Sequence, residues 1–136
     1  MAAGASTGTQ IAVRNALQKS TQFSARLAES APRVLSLHRD VLRSVAWVKK
    51  AYDVPLTERQ MRSLLTDAFR DKKDMKDLHQ INRLIAIGRM ELEETLMVWK
   101  GESHILGYFD QLAEKQAAKQ SKVARSFLDD FYLGKK

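Results

Sequence analysis

The residue types that could do chemistry in this chain are few and poorly grouped. His38-Arg39-Asp40 spells the catalytic-loop triplet of protein kinases. No glycine-rich phosphate loop or Asp-Phe-Gly accompanies it, and 136 residues are about half what a kinase needs. His38, His79 and His104 lack metal-ligand spacing. The absence of cysteine excludes a disulfide scaffold, a thiolate zinc site, a self-held iron–sulfur cluster and a cysteine nucleophile. Glu91, Glu93 and Glu94 supply carboxylates, but Glu91 and Glu94 are neighbours on one polar helix face, where acids are ordinarily solvated. Nothing assembles a nucleophile, a base and an oxyanion site. The reading is therefore a non-enzyme, with no catalytic residue, no metal ligand and no cofactor bound directly.

The basic residues are better organised. The formal charge is +7, and almost all of the excess lies in the first third of the chain. Residues 1–50 hold eight Lys/Arg against two acids, whereas residues 51–100 balance at nine of each. Such asymmetry points to an acidic partner, whether nucleic acid, anionic lipid or protein. At 100° per residue Arg39, Arg43 and Lys50 fall together on one helix face, and Arg59, Arg62, Arg70 and Lys73 share a sector of the next helix. Either ridge alone reads as a solvated face; two consecutive ridges read as a binding patch. Trp47 lies on the basic side of the first helix, where an exposed tryptophan would anchor an interface or pack beneath the N-terminal segment.

The elements that must position these side chains are all helical. There is no sustained two-residue alternation and no Asn-Gly or Asp-Gly hairpin signal. The spacing predicts a helix from about Pro32 to Ala51, with Val34, Leu37, Val41, Val45 and Val48 on one face and Leu42 at its edge. A second starts near Thr57, whose spacing to Gln60 is that of a capping box, and carries Met61, Leu64, Leu65, Ala68 and Phe69. A third spans about Lys76 to Lys100, with Leu78, Ile81, Ile85, Gly88, Leu92, Leu96 and Trp99 in register. Gly101 interrupts it. Ile105, Leu106, Tyr108 and Phe109 restart an apolar pattern before the polar, helix-favouring stretch 112–125. The tail holds Phe127, Leu128, Phe131, Tyr132 and Leu133, which should dock on something.

Three amphipathic helices with short polar connections predict an all-α, antiparallel three-helix bundle over 32–109. An N-terminal arm (1–31) precedes it, and a C-terminal helical extension and docking tail (110–136) follows. No apolar run approaches the roughly 20 residues of a membrane span. Residues 1–28 contain no acid and are rich in Ser, Thr and Ala, as in a mitochondrial transit sequence or a flexible polar arm. Two apolar-face residues stand out. His38 falls within the apolar sector, where a half-buried ring with a backbone partner is the default. Gly88 costs about 1 kcal/mol in mid-helix, which points to close helix approach or to space left for a ligand chain.

Leu37-His38-Arg39 followed by Leu42-Arg43 resembles the Leu-Tyr-Arg signature of the LYR-motif family. Met61-Arg62 through Phe69-Arg70 resembles that family's second-helix pattern. Gly88-Arg89-Met90-Glu91-Leu92-Glu93-Glu94-Thr95, continuing to Val98-Trp99-Lys100, and the tail from Phe127 to Gly134 are similar to the family's accessory-subunit branch in mitochondrial respiratory complex I. The likeness covers about 33–109 and the tail, and departs at His38, where the family has tyrosine.

The resemblance implies a non-catalytic helical bundle that binds mitochondrial acyl carrier protein beside other complex I subunits. It would lie on the matrix side of the inner membrane, peripheral and not transmembrane. In the family, basic residues meet the carrier's acidic helix, and its phosphopantetheine-linked acyl chain enters between the helices. Carried over, Leu37, His38, Arg39, Arg43, Trp47, Arg62, Arg70 and Lys73 would hold the carrier, with Lys49 and Lys72 as helpers. Leu42, Val45, Met61, Leu65, Phe69, Ile85 and Gly88 would line the acyl chain. The alternatives are a LYR-type assembly factor for iron–sulfur or respiratory proteins and a basic helical nucleic-acid binder. The last lacks aromatic stacking platforms and a helix-turn-helix, so no nucleic acid is expected.

Overall fold

The computed structural model describes residues 19 and 22–134 and is all-α across them. Most of the expected N-terminal arm, and with it most of the transit-like stretch 1–28, lies outside the described residues. Four helices follow: α1 (Leu27–Ala51), α2 (Glu58–Arg70), α3 (Leu78–Leu96) and α4 (Glu102–Tyr132). None of them is long and apolar enough to cross a membrane.

α1 begins five residues before Pro32. Glu29 accepts the Ala25 N–H at 3.1 Å and the Ser30 hydroxyl donates to the Leu27 carbonyl at 2.6 Å, which fixes the turn ahead of the proline. Pro32 falls at the sixth position of the helix, where it removes the N–H that would otherwise bond the Ala28 carbonyl. At the other end Asp53 takes φ 49°, and the Lys49 ammonium donates to the carbonyls of Val54 (3.0 Å) and Leu56 (2.6 Å). α2 opens with the expected capping box. Thr57 Oγ1 accepts from Gln60 N at 3.2 Å, and Gln60 Oε1 accepts from Thr57 N at 3.0 Å.

α3 is shorter than its apolar pattern. Asp77 caps it by accepting the His79 N–H at 3.1 Å, and it ends at Leu96, with Val98 at φ 60°. Trp99 therefore leaves the stripe and is 69 % exposed. Gly101 separates two helices as expected, becoming the N-cap of α4. That last helix runs unbroken through the anticipated 109/110 boundary, because 110–125 contains no glycine or proline and is rich in Ala, Gln and Lys.

Contacts define the directions. His38 meets Thr66 and Phe69, so α1 and α2 are antiparallel. Arg33–Asn82, Asp40–Arg89 and Tyr52–Thr95 contacts make α1 and α3 run the same way. Gln116–Asp67 and Lys119–Asp71 do the same for α4 and α2. The helices thus alternate up and down, and α3 packs on α1, α1 on α2, and α2 on α4. Within that chain α1 is central, with α2 and α3 packed on it but not closely on each other, and α4 is a further rod against α2. The backbones of α3 and α4 nowhere approach each other closely.

The main core joins Val45, Val48, Tyr52, Val54, Met61, Leu64, Leu65, Ile105 and Phe109. A smaller one joins Leu37, Leu92 and Leu96. Trp47 is half-buried and packs against both, so of its two expected roles the exposed anchor is not what its burial shows. Its long indole reaches the seam from the flank of α1, a reach that a projection of Cα positions ignores.

Candidate functional site

The missing α3–α4 contact leaves a groove of about 740 Å³ open to the surface. This falls within the usual 300–1,000 Å³ range for sites that enclose a small ligand. Its floor is Val41, Val45 and Val48 of α1 with Met61 and Leu65 of α2. Leu84, Ile87, Gly88 and Leu92 form the α3 wall, and Ile105, Tyr108 and Phe109 the α4 wall. Glu91, Thr95, Lys100, Ser103 and His104 make one end polar, with Glu91 and Lys100 ion-paired. Leu84, Ile87 and Tyr108 remain 39 %, 41 % and 47 % exposed, although they lie on helix faces that point inward.

Of the seven residues expected to line an apolar chain, Val45, Met61, Leu65, Phe69 and Gly88 do line this groove. Leu42 and Ile85 do not. On α1, Leu42 is about 100° from Val41 and turns toward α2, packing half-buried on the main core. Ile85 is buried on the side of α3 that also carries Asn82 and Arg89 toward α1. Leu37, expected among the docking residues, is instead buried on the groove floor. A Cβ added at Gly88 would come within 2.7 Å of Leu37 Cδ2. The glycine thus permits close helix approach, and its backbone also borders the groove.

The basic residues occupy a different surface. Arg39 and Lys73 are exposed. Arg43 is exposed too, 3.7 Å from Asp40 Oδ1; Arg62 pairs with Glu58 at 3.6 Å and Arg70 with Asp67 at 3.8 Å. On α1, Arg39 and Arg43 lie about half a turn from Val41 and Val48, so the cationic ridge backs the helix whose other face floors the groove. Lys72 is exposed, whereas Lys49 is engaged by the α1–α2 loop.

His38 stands between these two surfaces. Its Nε2 is 3.1 Å from the Thr66 hydroxyl, a side-chain partner rather than the expected backbone one, and its ring lies 4.8 Å from that of Phe69. Burial, and then the neighbouring Arg70 guanidinium, hold the imidazole below its usual pKa. Phe69 also borders the groove. The α1–α2 seam at His38 and Phe69 therefore connects the basic back to the apolar front.

One arrangement escapes sequence reasoning. Arg89, 1 % exposed, donates to Asp40 Oδ2 at 2.5 Å and to Ser36 Oγ at 3.2 Å. Lys19 reaches the same cluster, 2.9 Å from Ser36 Oγ and 3.7 Å from Asp40. Above it Asn82 exchanges two bonds with the Ser24 backbone, and Arg33 donates to Ser24 Oγ, Asn82 Oδ1 and the Gln22 carbonyl. Arg33 is held below the usual arginine range by burial and by the nearby Arg89 charge. The available signal was Arg89 beside the apolar stripe of α3. Among the described residues no group of His, Asp and Glu is arranged to hold a metal ion.

Comparison with known proteins supports the reading of the signature. The chain is 28 % identical over 120 residues to NADH dehydrogenase [ubiquinone] 1 alpha subcomplex subunit 6 of Dictyostelium discoideum, covering 88 % of this chain and 91 % of that protein. A match of that length reaches into all four helices. Residues 32–94, from early α1 nearly to the end of α3, match Complex 1 protein (LYR family).

Proposed function

We propose that this chain is a non-catalytic accessory subunit of mitochondrial respiratory complex I that docks mitochondrial acyl carrier protein. It would lie peripherally on the matrix side of the inner membrane. Arg39, Arg43, Arg62, Arg70 and Lys73 meet the carrier's acidic surface. The phosphopantetheine arm, supplied by the carrier, passes between α1 and α2 near His38 and Phe69. Its acyl chain lies in the α3–α4 groove. The observation that carries this reading is an apolar groove on whose walls Leu84, Ile87 and Tyr108 stay 39 %, 41 % and 47 % exposed.

The two surfaces contribute differently. Exposed ion pairs are worth about 0–1 kcal/mol each and weaken with salt, so the ridge chiefly steers and orients the carrier. Burying acyl methylenes gains roughly 0.8 kcal/mol apiece before ordering costs, so the chain sets the lifetime. A guest that binds only the folded state also stabilises it by mass action.

Coexpression with acylated and with unacylated carrier tests the mechanism. The acylated complex should dissociate at least tenfold more slowly; equal lifetimes reject acyl insertion. Arg39→Glu with Arg43→Glu should abolish carrier capture without unfolding the chain. Retained capture places the docking surface elsewhere.

A further inference from the structure

The two ends of the α3–α4 groove differ in chemistry, and the helix directions say which is which. Because α1 and α3 run the same way, Leu37 and Leu84 mark one end, and Val48 and Thr95 the other. At the first end Phe69 of α2 meets His38, and Arg39 and Arg70 are their direct neighbours in sequence. A guest steered by the cationic ridge therefore enters there. The floor beyond it is apolar. Its one hydroxyl, that of Ser44, already donates to the Val41 carbonyl at 2.7 Å.

The second end is bounded by the chain itself. Residues 97–101 turn α3 back into α4, and Glu91, Thr95, Lys100, Ser103 and His104 converge on the groove at this turn. The Thr95 hydroxyl donates to the Glu91 carbonyl at 2.7 Å. The Lys100 ammonium, on a side chain only 24 % exposed, pairs with the Glu91 carboxylate and so ties the connection to α3.

The apolar stretch between these ends has a definite length. At 1.5 Å per residue it measures about 16 Å from Leu37 to Val48 on α1 and about 12 Å from Phe69 to Met61 on α2. A hydrocarbon chain with bonds of about 1.52 Å at about 111° advances roughly 1.25 Å per bond, so about 10–13 bonds cover the distance. Each methylene laid on apolar wall slows dissociation by up to about fourfold. The next one meets the ion pair, where a methyl strips water from two charges and returns no hydrogen bond.

We propose that the Lys100–Glu91 pair is a length stop, and that the groove selects saturated acyl chains of about a dozen carbons. This rests on the docking reading above and assigns that site a specificity of its own. Shorter chains leave apolar wall uncovered, and longer ones gain nothing from their last carbons.

The test uses the full chain in complex with carrier loaded with octanoyl, dodecanoyl or hexadecanoyl groups, and measures dissociation rates. Lifetime should rise at least tenfold from octanoyl to dodecanoyl and change less than twofold from dodecanoyl to hexadecanoyl. Each protein's octanoyl complex serves as its own reference, so a variant that holds it is folded. In Glu91→Leu with Lys100→Leu the ratio of hexadecanoyl to octanoyl lifetimes should rise at least tenfold over wild type. Lys100→Met alone, which leaves helix α3 untouched, should raise it severalfold. A wild-type lifetime that keeps climbing at the same rate through hexadecanoyl overturns the stop while acyl insertion stands. An unaltered ratio in both variants overturns the assignment to this pair. Lifetimes indifferent to the acyl group, equal even to that of unloaded carrier, reject acyl insertion and the stop with it.

Discussion

Helix α3 has two long sides, and they are built on opposite principles. Toward α1 it is fixed by polar groups: Arg89 on Asp40 and Ser36, Asn82 on Ser24, and the Tyr52 hydroxyl on the Thr95 carbonyl at 2.8 Å. Gly88 lets the two backbones close on Leu37. Toward α4 the same helix turns Leu84, Ile87 and Leu92 to the apolar groove. Directional bonds hold α3 in place on one side, and its apolar surface on the other side borders the groove. A bundle held only by apolar packing would collapse onto that space, since unfilled apolar volume is itself destabilising.

The largest expected effect is on the polar side. Arg89→Met leaves Asp40 buried without its principal partner and should cost about 3–5 kcal/mol in urea unfolding. The double variant Arg89→Met with Asp40→Leu should recover most of that loss. If the single variant unfolds like wild type, the pair does not hold α3.

Next is the position shared by both sides. Gly88→Leu drives a branched side chain against Leu37 and into the groove. Acylated carrier should then dissociate at least tenfold faster. In Gly88→Ala the gain in helix propensity, about 1 kcal/mol, offsets the displacement of Leu37, and stability should change little. Groove-side truncation separates the two principles further. Leu84→Ala with Ile87→Ala should lower the melting temperature more in the carrier complex than in the chain alone, because these side chains are buried only when a guest is present.

The smallest effect belongs to His38. Its folded-state pKa is lowered, so at high pH both states are neutral. As pH falls below about 6.5 the unfolded chain takes up its proton first. Stability contributed by the neutral ring is therefore present above that value and lost as pH drops toward the lower folded value. His38→Phe should reduce the difference in melting temperature between pH 7.5 and 5.5. An unchanged difference assigns the acid sensitivity to other groups.

Legibility followed the length scale of the interaction. The Thr57–Gln60 capping box and the apolar faces of α1 and α2 depend on residues a few positions apart, and both were readable. Five of the seven expected groove residues lie on those faces or at Gly88. Trp47, Leu42 and Ile85 were misplaced because a helix has two packing flanks as well as a face, and angular position does not say which neighbour sits on each. Asp40 was visible only as the end of an accidental kinase triplet; its partner is 49 positions away. The early end of α3 was hidden because Trp99 keeps the periodicity that the backbone abandons at Val98.

By itself the chain of residues determined an all-helical molecule, its principal caps, a cationic first third and a recognisable family signature. All of these arise from local propensity, helical period and composition, which act within a few turns. Only the tertiary structure decided that α3 is held by a buried arginine, that α4 packs on α2 rather than on α3, and that apolar walls are consequently left facing an open space. Those outcomes depend on which distant faces meet, and many pairings of amphipathic helices satisfy the same pattern.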